Sequence, residues 1–392
     1  MLGSFELKSD DQGDIKINKS IKYQKRPVFL IRRLCLCWLS VLLGTSSFTL
    51  SASQDSAPSK AAFQSAYSAY QEASAVRNWS MARGSAEQAL IEGLKVFDEA
   101  GDNVANLRLN FARELIRSNE YPTAKEQLTL CLATRETTKG KESREIVEVL
   151  VELGKAEAAI GDPEAVDHFR RARDLSSVYN DYEIVANINL TAGNTFFQTR
   201  QDADATEFLK PANRYFTNQY GTADLRAGLS ALNLGRLQQL QGDSQSALIT
   251  LTNALKAFTL DQPRIVDLNI TTRKMLAIVQ ESLSKSEMAT EQLLEIAKRR
   301  ADGGDSEPEL VYGGSVPAAS NTDDVAITGS AVIQFDIDAT GRVTNTRVVS
   351  SSSEMAKTTG EQMVSTQRYS PKMQAGKPVE AKSVEFRFDL GQ

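Results

Sequence analysis

Few residues of this chain could carry out acid–base, nucleophilic or metal chemistry. The 392-residue sequence contains one histidine, His168, and three cysteines, of which Cys35 and Cys37 lie in an apolar segment near the N-terminus. His168 lies in the charged run "AVDHFRRARD", which we interpret as the exposed face of a helix. A hydrolase triad, a histidine-ligated metal or a disulfide framework needs more of these residues than Cys131 and His168 supply. We therefore expect no enzyme active site, no metal and no cofactor.

Charge is unevenly distributed between the N-terminal segment and the rest of the chain. Residues 1–33 contain eight Lys and Arg against four Asp and Glu, which leaves 37 against 46 for the remainder. A body with this acidic excess lacks the basic surface that nucleic-acid binding requires. Nucleic acid is therefore excluded as a partner.

The first 52 residues have the composition of an export segment. The basic stretch is followed by the uncharged run "LCLCWLSVLLG" (34–44) and then by small and polar residues, the order found in a secretory signal peptide. We expect cleavage after Ala52 or Ser53. The alternative is an uncleaved inner-membrane anchor, which needs about 20 apolar residues and would place Arg32 and Arg33 in lipid. Both interpretations predict an exported body.

A helical repeat of about 41 residues occupies positions 61–302. Five short polar turns end in alanine, and the intervals between these alanines are 41, 40, 42 and 42 residues: Ala124, Ala165, Ala205, Ala247 and Ala289. A fixed period of this length with two helices per unit predicts a helical solenoid. A sixth, weaker unit precedes them, and we expect its Tyr67, Tyr70 and Trp79 in a core or cap.

Small and large residues recur at fixed distances from each alanine. Small residues precede it by about twelve positions: Ala112, Gly154, Gly193, Gly235 and Ala277. Large apolar residues follow it by four positions: Leu128, Phe169, Leu209, Leu251 and Leu293. Small residues also follow it by seven positions in most units: Cys131, Ala172, Ala212 and Ala254. This pattern resembles the tetratricopeptide repeat, which implies a groove that holds a partner protein.

The chain changes character after Arg300. The Gly-, Pro- and Ser-rich residues 303–326 are predicted to form a linker. In "GSAVIQFDIDATGRV", from Gly329, apolar residues alternate along a first strand, and Gly341 allows a tight turn into a second strand. Ser353 is expected to cap a helix over Glu354–Gln367.

The helix and the last strand complete a small α+β domain over 327–392. The helix is expected to place Met355, Met363 and Val364 on its apolar side, and Val384, Phe386, Phe388 and Leu390 alternate along a final strand. The predicted fold is therefore an all-α helical-repeat solenoid followed by a strand–strand–helix–strand domain.

The ordered segments "GSAVIQFDIDATGRV", "VVSSSS", "YSP", "GKPV" and "VEFRF" resemble the C-terminal domain of TonB-type energy transducers. The resemblance implies a periplasmic module that pairs a segment of an outer-membrane receptor with the edge of its last strand. The implied partner-binding residues are Lys382, Ser383, Val384, Glu385, Phe386, Arg387, Phe388 and Asp389. The implied partners are N-terminal segments of TonB-dependent receptors, with inner-membrane motor proteins as a further candidate.

Two features depart from the TonB pattern. The N-terminal apolar segment has no histidine, and the whole chain has ten prolines where a long proline-rich spacer would be expected. The repeats stand in place of that spacer. Two functions therefore stay open: a protein that links a repeat-bound partner to receptors in energy-dependent transport, and a periplasmic scaffold for envelope assembly or secretion.

Overall fold

The computed structural model describes residues 5–9, 15–19, 57–259, 263–313 and 329–390. The predicted export segment at 34–44 lies outside these ranges. No helix in the described ranges has the length and apolar character needed to cross a membrane. The chain divides into two compact units, residues 1–188 and 189–392, with the boundary inside the seventh helix.

Twelve described helices form consecutive pairs between residues 57 and 301, and most of the described strands follow them. The helices are α1 (Ala57–Ala75), α2 (Trp79–Gly93), α3 (Asp102–Arg117), α4 (Tyr121–Lys139), α5 (Val147–Ala159), α6 (Glu164–Val178), α7 (Tyr182–Gln198), α8 (Asp202–Tyr220), α9 (Leu225–Leu240), α10 (Ser244–Ala257), α11 (Pro263–Ser282), α12 (Ser286–Ala301) and α13 (Glu354–Ser365). The strands are β1 (Phe5–Ser9), β2 (Ile15–Lys19), β3 (Glu309–Tyr312), β4 (Gly329–Ile337), β5 (Val343–Ser351), β6 (Arg368–Ser370), β7 (Lys372–Gln374), β8 (Lys377–Val379) and β9 (Ala381–Leu390). β1 pairs with β2.

The repeat predicted from the alanine spacing is confirmed by the packing of the helix pairs. All five alanines at the start of the second helices are at most 1% exposed. A Cβ built on Gly193 would lie 2.6 Å from Cγ of Leu209, and one on Gly235 would lie 2.6 Å from Cγ of Leu251. In these two units the large residue thus fills the space that the missing side chain of the glycine leaves between the helices.

In the turns within the helix pairs, one residue adopts a left-handed backbone conformation four or five positions before the buried alanine. The residues with positive φ are Arg77, Asn119, Gly161, Arg200, Gly242 and Ser284. Such a residue ends one helix and lets the chain reverse into the next. Arg77 precedes the fully buried Ala82 by five positions. α1 and α2 therefore form the weaker sixth unit that the sequence predicts.

Aromatic residues pack in the first pair of helices. The Phe63 ring meets the Phe97 ring edge-on, with centroids 4.9 Å apart. Tyr67 and Tyr70 are half-buried, and the Arg117 guanidinium lies over the Trp79 ring at 4.5 Å. These aromatic residues lie in the core or at its border, as expected.

The C-terminal domain contains a three-stranded antiparallel sheet in the order β5–β4–β9. The predicted alternation along β4 is confirmed, since Ala331, Ile333, Phe335 and Ile337 are all at most 1% exposed. Val364 of α13 packs in the same core. Met355, however, is 52% exposed, so its expected place on the apolar side of the helix is wrong.

The segment predicted to be a linker takes part in the fold. Of residues 303–326 the structure describes 303–313, and these include β3, which pairs with β6. Ser306 also forms a bridge with Met373 of β7, with backbone N–O distances of 3.1 and 2.8 Å. This part of the expected linker therefore belongs to the C-terminal domain.

Candidate partner-binding edge

β9 forms one side of the three-stranded sheet. Its register with β4 runs without interruption over seven residue pairs, from Val384 opposite Phe335 to Leu390 opposite Gly329. Within the described residues no strand pairs with its other side. Alternate backbone N–H and C=O groups of a regular edge strand are open to a further strand.

The opposite edge of the sheet, β5, is irregular. It contains extra residues at two points of its pairing with β4, at Val349 and beside Asn345, and Asn345 adopts φ of 52°. Bulges of this kind twist an edge and break the spacing that an added strand would need. β9 is therefore the more suitable edge for strand addition.

The Asp336 side chain of β4 accepts hydrogen bonds from the irregular points of both neighbouring strands, β5 and β9. Its Oδ1 accepts the backbone N–H of Ser383 at 2.9 Å, and its Oδ2 accepts Asn345 Nδ2 at 2.8 Å. Ser383 has φ of 57° and marks the single irregularity in the pairing of β9 with β4. The hydrogen bond from Ser383, followed by that from Asn345, holds the pKa of Asp336 below its usual value. One carboxylate thus fixes where the regular part of β9 begins.

The predicted partner-binding residues all lie on β9 but differ in surroundings. Lys382 and Ser383 lie in the bulge and are exposed. Val384 and Phe386 are half-buried and pack against the core beneath α13. The side chains of Phe388 and Asp389 lie outside the described part of the structure, which gives their backbone pairing alone.

Glu385 and Arg387 lie on the face of the sheet away from α13. Gln334 of β4 donates to Glu385 at 3.4 Å and accepts from Arg347 of β5, so a polar row crosses all three strands. Arg387 is exposed, opposite Val332 in β4, and has no hydrogen bond or ion pair among the described residues. It places a positive charge on the exposed face of this edge strand.

The C-terminal domain is attached to the last repeat pair by a buried arginine. Arg368 of β6 is 7% exposed and pairs with Glu281 of α11, and its Nη2 donates to Thr290 of α12 at 2.8 Å. Burial is the largest influence on this guanidinium and lowers its pKa. Such a group is stable in a buried place only when a carboxylate and further acceptors surround it.

Contacts from β3 and the β7–β8 hairpin extend this attachment. Glu309 of β3 accepts from Lys274 at 2.8 Å and pairs with Arg300 at 3.2 Å. Met373 packs in a small cluster with Ala297 and Ala301 of α12. Sequence reasoning missed this interface. No signal for it is present in the sequence, since the burial of Arg368–Ser370 is visible only in the folded structure.

The two chemistry-bearing residues named at the start are held in structural contacts. Cys131 is fully buried, its Sγ donates to the Ala105 carbonyl at 3.1 Å, and burial raises the pKa of the thiol to about 11. His168 does not lie on an exposed face as expected. Its side chain is 20% exposed, and its Nδ1 lies 2.6 Å from Oε2 of the buried Glu157. The carboxylate draws the ring inward, which explains the difference.

Three carboxylates near His168 come close enough together to suggest a cation. Oxygen atoms of Glu157, Asp162 and Glu164 lie within 4.8 Å of one another. The Lys125 ammonium pairs with all three. Because this ammonium already supplies the positive charge, the cluster is explained as an ion-pair network without a metal.

Residues 322–390 match the family described as Gram-negative bacterial TonB protein C-terminal. The chain therefore carries a domain of this periplasmic family, and the predicted resemblance is confirmed. No curated protein matches the chain. Domains of this family are typically non-catalytic and imply protein–protein interaction.

Solved structures that resemble the chain are TPR-like helical repeat proteins. BtubC (BKLC) from P. vanneervenii is 18% identical, with 68% of this chain and 98% of that chain covered and a TM-score of 0.45. A putative kinesin light chain with nearly identical TPR-like repeats from Podosopora anserina is 19% identical, with 50% and 96% covered and a TM-score of 0.43. The repeat architecture itself rests on the helix pairs described above.

Proposed function

We propose that this protein is exported to the periplasm and links a partner held by its helical repeats to TonB-dependent outer-membrane receptors. An extended segment from the N-terminal part of a receptor would add to β9 as a fourth strand. The protein would thereby support energy-dependent transport across the outer membrane. Inner-membrane motor proteins would be a further partner and would supply the energy for this transport.

The observation that carries this proposal is the regular edge of β9, on which no described strand lies, within the region that matches the TonB family. Main-chain hydrogen bonds to such an edge give affinity with little demand on the partner's sequence. Side chains of the added strand that point toward α13 would extend the apolar surface of Val384 and Phe386. Those on the other face would lie beside Glu385 and Arg387.

Charge at the edge favours one kind of residue in the receptor segment. Glu385 already accepts from Gln334, whereas Arg387 has no partner among the described residues. Opposite charges on neighbouring strands contribute roughly 0.2–1 kcal/mol, whereas like charges directly opposite each other destabilise the pairing. We expect an acidic residue next to Arg387 to bind better than a basic one.

Strand addition can be tested directly by measuring the binding of peptides in which one backbone N–H group at a time has been removed. Labelled peptides from receptor N-terminal segments would be titrated with the full chain, and each peptide amide would be N-methylated in turn. Strand addition predicts that methylation weakens binding at every second residue, because alternate N–H groups face β9. Amide hydrogen exchange should slow in Val384–Leu390 and stay unchanged in β5. Binding that shows no period of two, or no binding by any receptor peptide, would exclude this function.

A second function, a scaffold with the C-terminal domain as the end cap of the repeats, is favoured by the Arg368 interface. Buried contacts with α11 and α12 are what a solenoid cap requires, because terminal repeats otherwise expose an apolar face. This function predicts that the β9 edge binds no receptor segment, while loss of the domain destabilises α11 and α12. The peptide titration therefore separates the two.

A further inference from the structure

The start of β9 contains a bulge that lies opposite a single residue of β4. The regular pairing of the two strands is interrupted between Ala381 and Val384 of β9. Over this interval Asp336 of β4 faces two residues of β9, Lys382 and Ser383, which is the arrangement of a β-bulge. The extra residue explains why Ala381 and Val384, three positions apart, both face the core beneath α13.

Ser383 needs support in this bulge because its backbone conformation is unfavourable for a serine. Its φ of 57° lies in the left-handed region, which a residue with a Cβ enters at a cost that glycine does not incur. The support comes from Asp336, whose Oδ1 accepts the Ser383 N–H at 2.9 Å. This hydrogen bond is also the largest influence that lowers the pKa of Asp336, so the acceptor is ionised at neutral pH. Hydrogen bonds to an ionised acceptor are roughly twice as strong as neutral ones.

The position of the bulge decides which backbone groups of β9 face outward. Along a strand, the side chain of each residue and its N–H and C=O groups change sides with the same period of two. If the extra residue moved past Val384, the Val384 side chain would leave the core. Its N–H and C=O groups would turn to the other edge of β9 at the same time. The hydrogen-bond positions offered to an added strand would therefore shift by one residue.

We propose that Asp336 is a positioning residue for strand addition, because it holds the Ser383 bulge and thereby fixes which residues of β9 offer hydrogen bonds to a receptor segment. Asp336 lies on β4, one strand away from the open edge, so it acts through Ser383 and does not touch the segment. This inference rests on the proposed addition of a receptor segment to β9. It adds the residue that sets the register of that addition.

Titration of the full chain with peptides from receptor N-terminal segments tests the role of Asp336. Asp336→Ala removes the acceptor of the Ser383 N–H. We expect peptide binding to weaken roughly tenfold, which is close to the effect of one hydrogen bond to a charged group. Asp336→Asn keeps an oxygen atom that can accept the same N–H, so it should weaken binding less than Asp336→Ala does.

Matched variants separate positioning from stability. Asn345→Ala removes the other hydrogen bond to the same carboxylate, at 2.8 Å, so it should lower Tm but leave peptide binding unchanged. Glycine adopts the φ of Ser383 without steric cost, so Ser383→Gly added to Asp336→Ala should restore part of the lost binding. In Asp336→Ala the period of two in the N-methylation scan should disappear beside Val384 and persist beside Leu390. A role in stability alone would leave that period unchanged.

The inference is overturned if Asp336→Ala binds the receptor peptides as tightly as the unaltered chain, or if Asn345→Ala weakens binding to the same degree. An N-methylation scan of Asp336→Ala with its period of two intact beside Val384 would also contradict it. In each of these cases, binding by the unaltered chain leaves the proposed transport function standing. If no receptor peptide binds the unaltered chain, the proposed function fails and this inference fails with it.

Discussion

Replacement of Arg368 by alanine tests whether the C-terminal domain and the last repeat pair form one cooperative unit. The substitution removes the ion pair with Glu281 and the 2.8 Å hydrogen bond to Thr290. Loss of one partner of a fully buried ion pair costs about 3–5 kcal/mol. Glu281 is 18% exposed and still accepts from Ser286 at 2.6 Å, so it stays partly solvated and bonded. We therefore expect a cost of about 2–3 kcal/mol, below the buried limit.

Hydrogen exchange measured by mass spectrometry gives the location as well as the size of this effect. A loss of 2–3 kcal/mol corresponds to exchange that is roughly 30- to 150-fold faster. The increase should occur in both β6 and α12, because the arginine joins them. Lys298→Ala, at an exposed position of α12, is the control and should change exchange little. Faster exchange in β6 with unchanged α12 would refute the idea of a shared unit.

Three further predictions follow from packing and ionisation. Gly193→Ala should destabilise the chain by roughly 1–3 kcal/mol in urea unfolding, because the added Cβ would overlap Leu209, although alanine favours a helix. The pKa of Asp336 is lowered in the folded chain, so its contribution is present above the ordinary pKa and is lost as pH falls through the folded value. Asp336→Asn should thus reduce Tm at neutral pH, and the difference should vanish in acid; an equal difference at all pH values would contradict this. Cys131, with a pKa of about 11, should resist iodoacetamide at pH near 8 until urea is added, as read by peptide mass spectrometry; rapid labelling of the native chain would contradict its burial.

The repeats could be predicted because their signal is both local and repeated. The large residue stands four positions after the buried alanine in all five units, and the small residues keep their places in most of them, so the copies support one another. The alternation along β4 and the cap at Ser353 are also local. Ser353 Oγ accepts the Ala356 N–H at 3.1 Å, as expected of an N-terminal cap.

The missed features depend on contacts between distant residues. β3 and β6 have four and three residues, too few for a visible alternation, and their pairing joins positions about 60 residues apart. Arg368 looks like a surface residue in sequence, because its carboxylate partner lies 87 positions earlier. His168 is closer to its partner in sequence, but Glu157 belongs to the preceding helix, so only the packing of the two helices brings them together. Charge alone cannot distinguish a solvated side chain from a buried ion pair.

The attachment of the C-terminal domain changes what binding at β9 can do. A flexible linker would isolate the domain, so a receptor segment on β9 would leave the repeats unaffected. Here Tyr369 of β6 packs against Phe335 of β4, with ring centroids 5.9 Å apart, while its neighbour Arg368 reaches α11 and α12. β4 is also the strand that pairs with β9. A continuous set of packed residues therefore leads from the open edge to the last repeat pair. Slower exchange in α12 on addition of a receptor peptide, abolished by Arg368→Ala, would demonstrate coupling along this route, and an unchanged α12 would show that the edge acts alone.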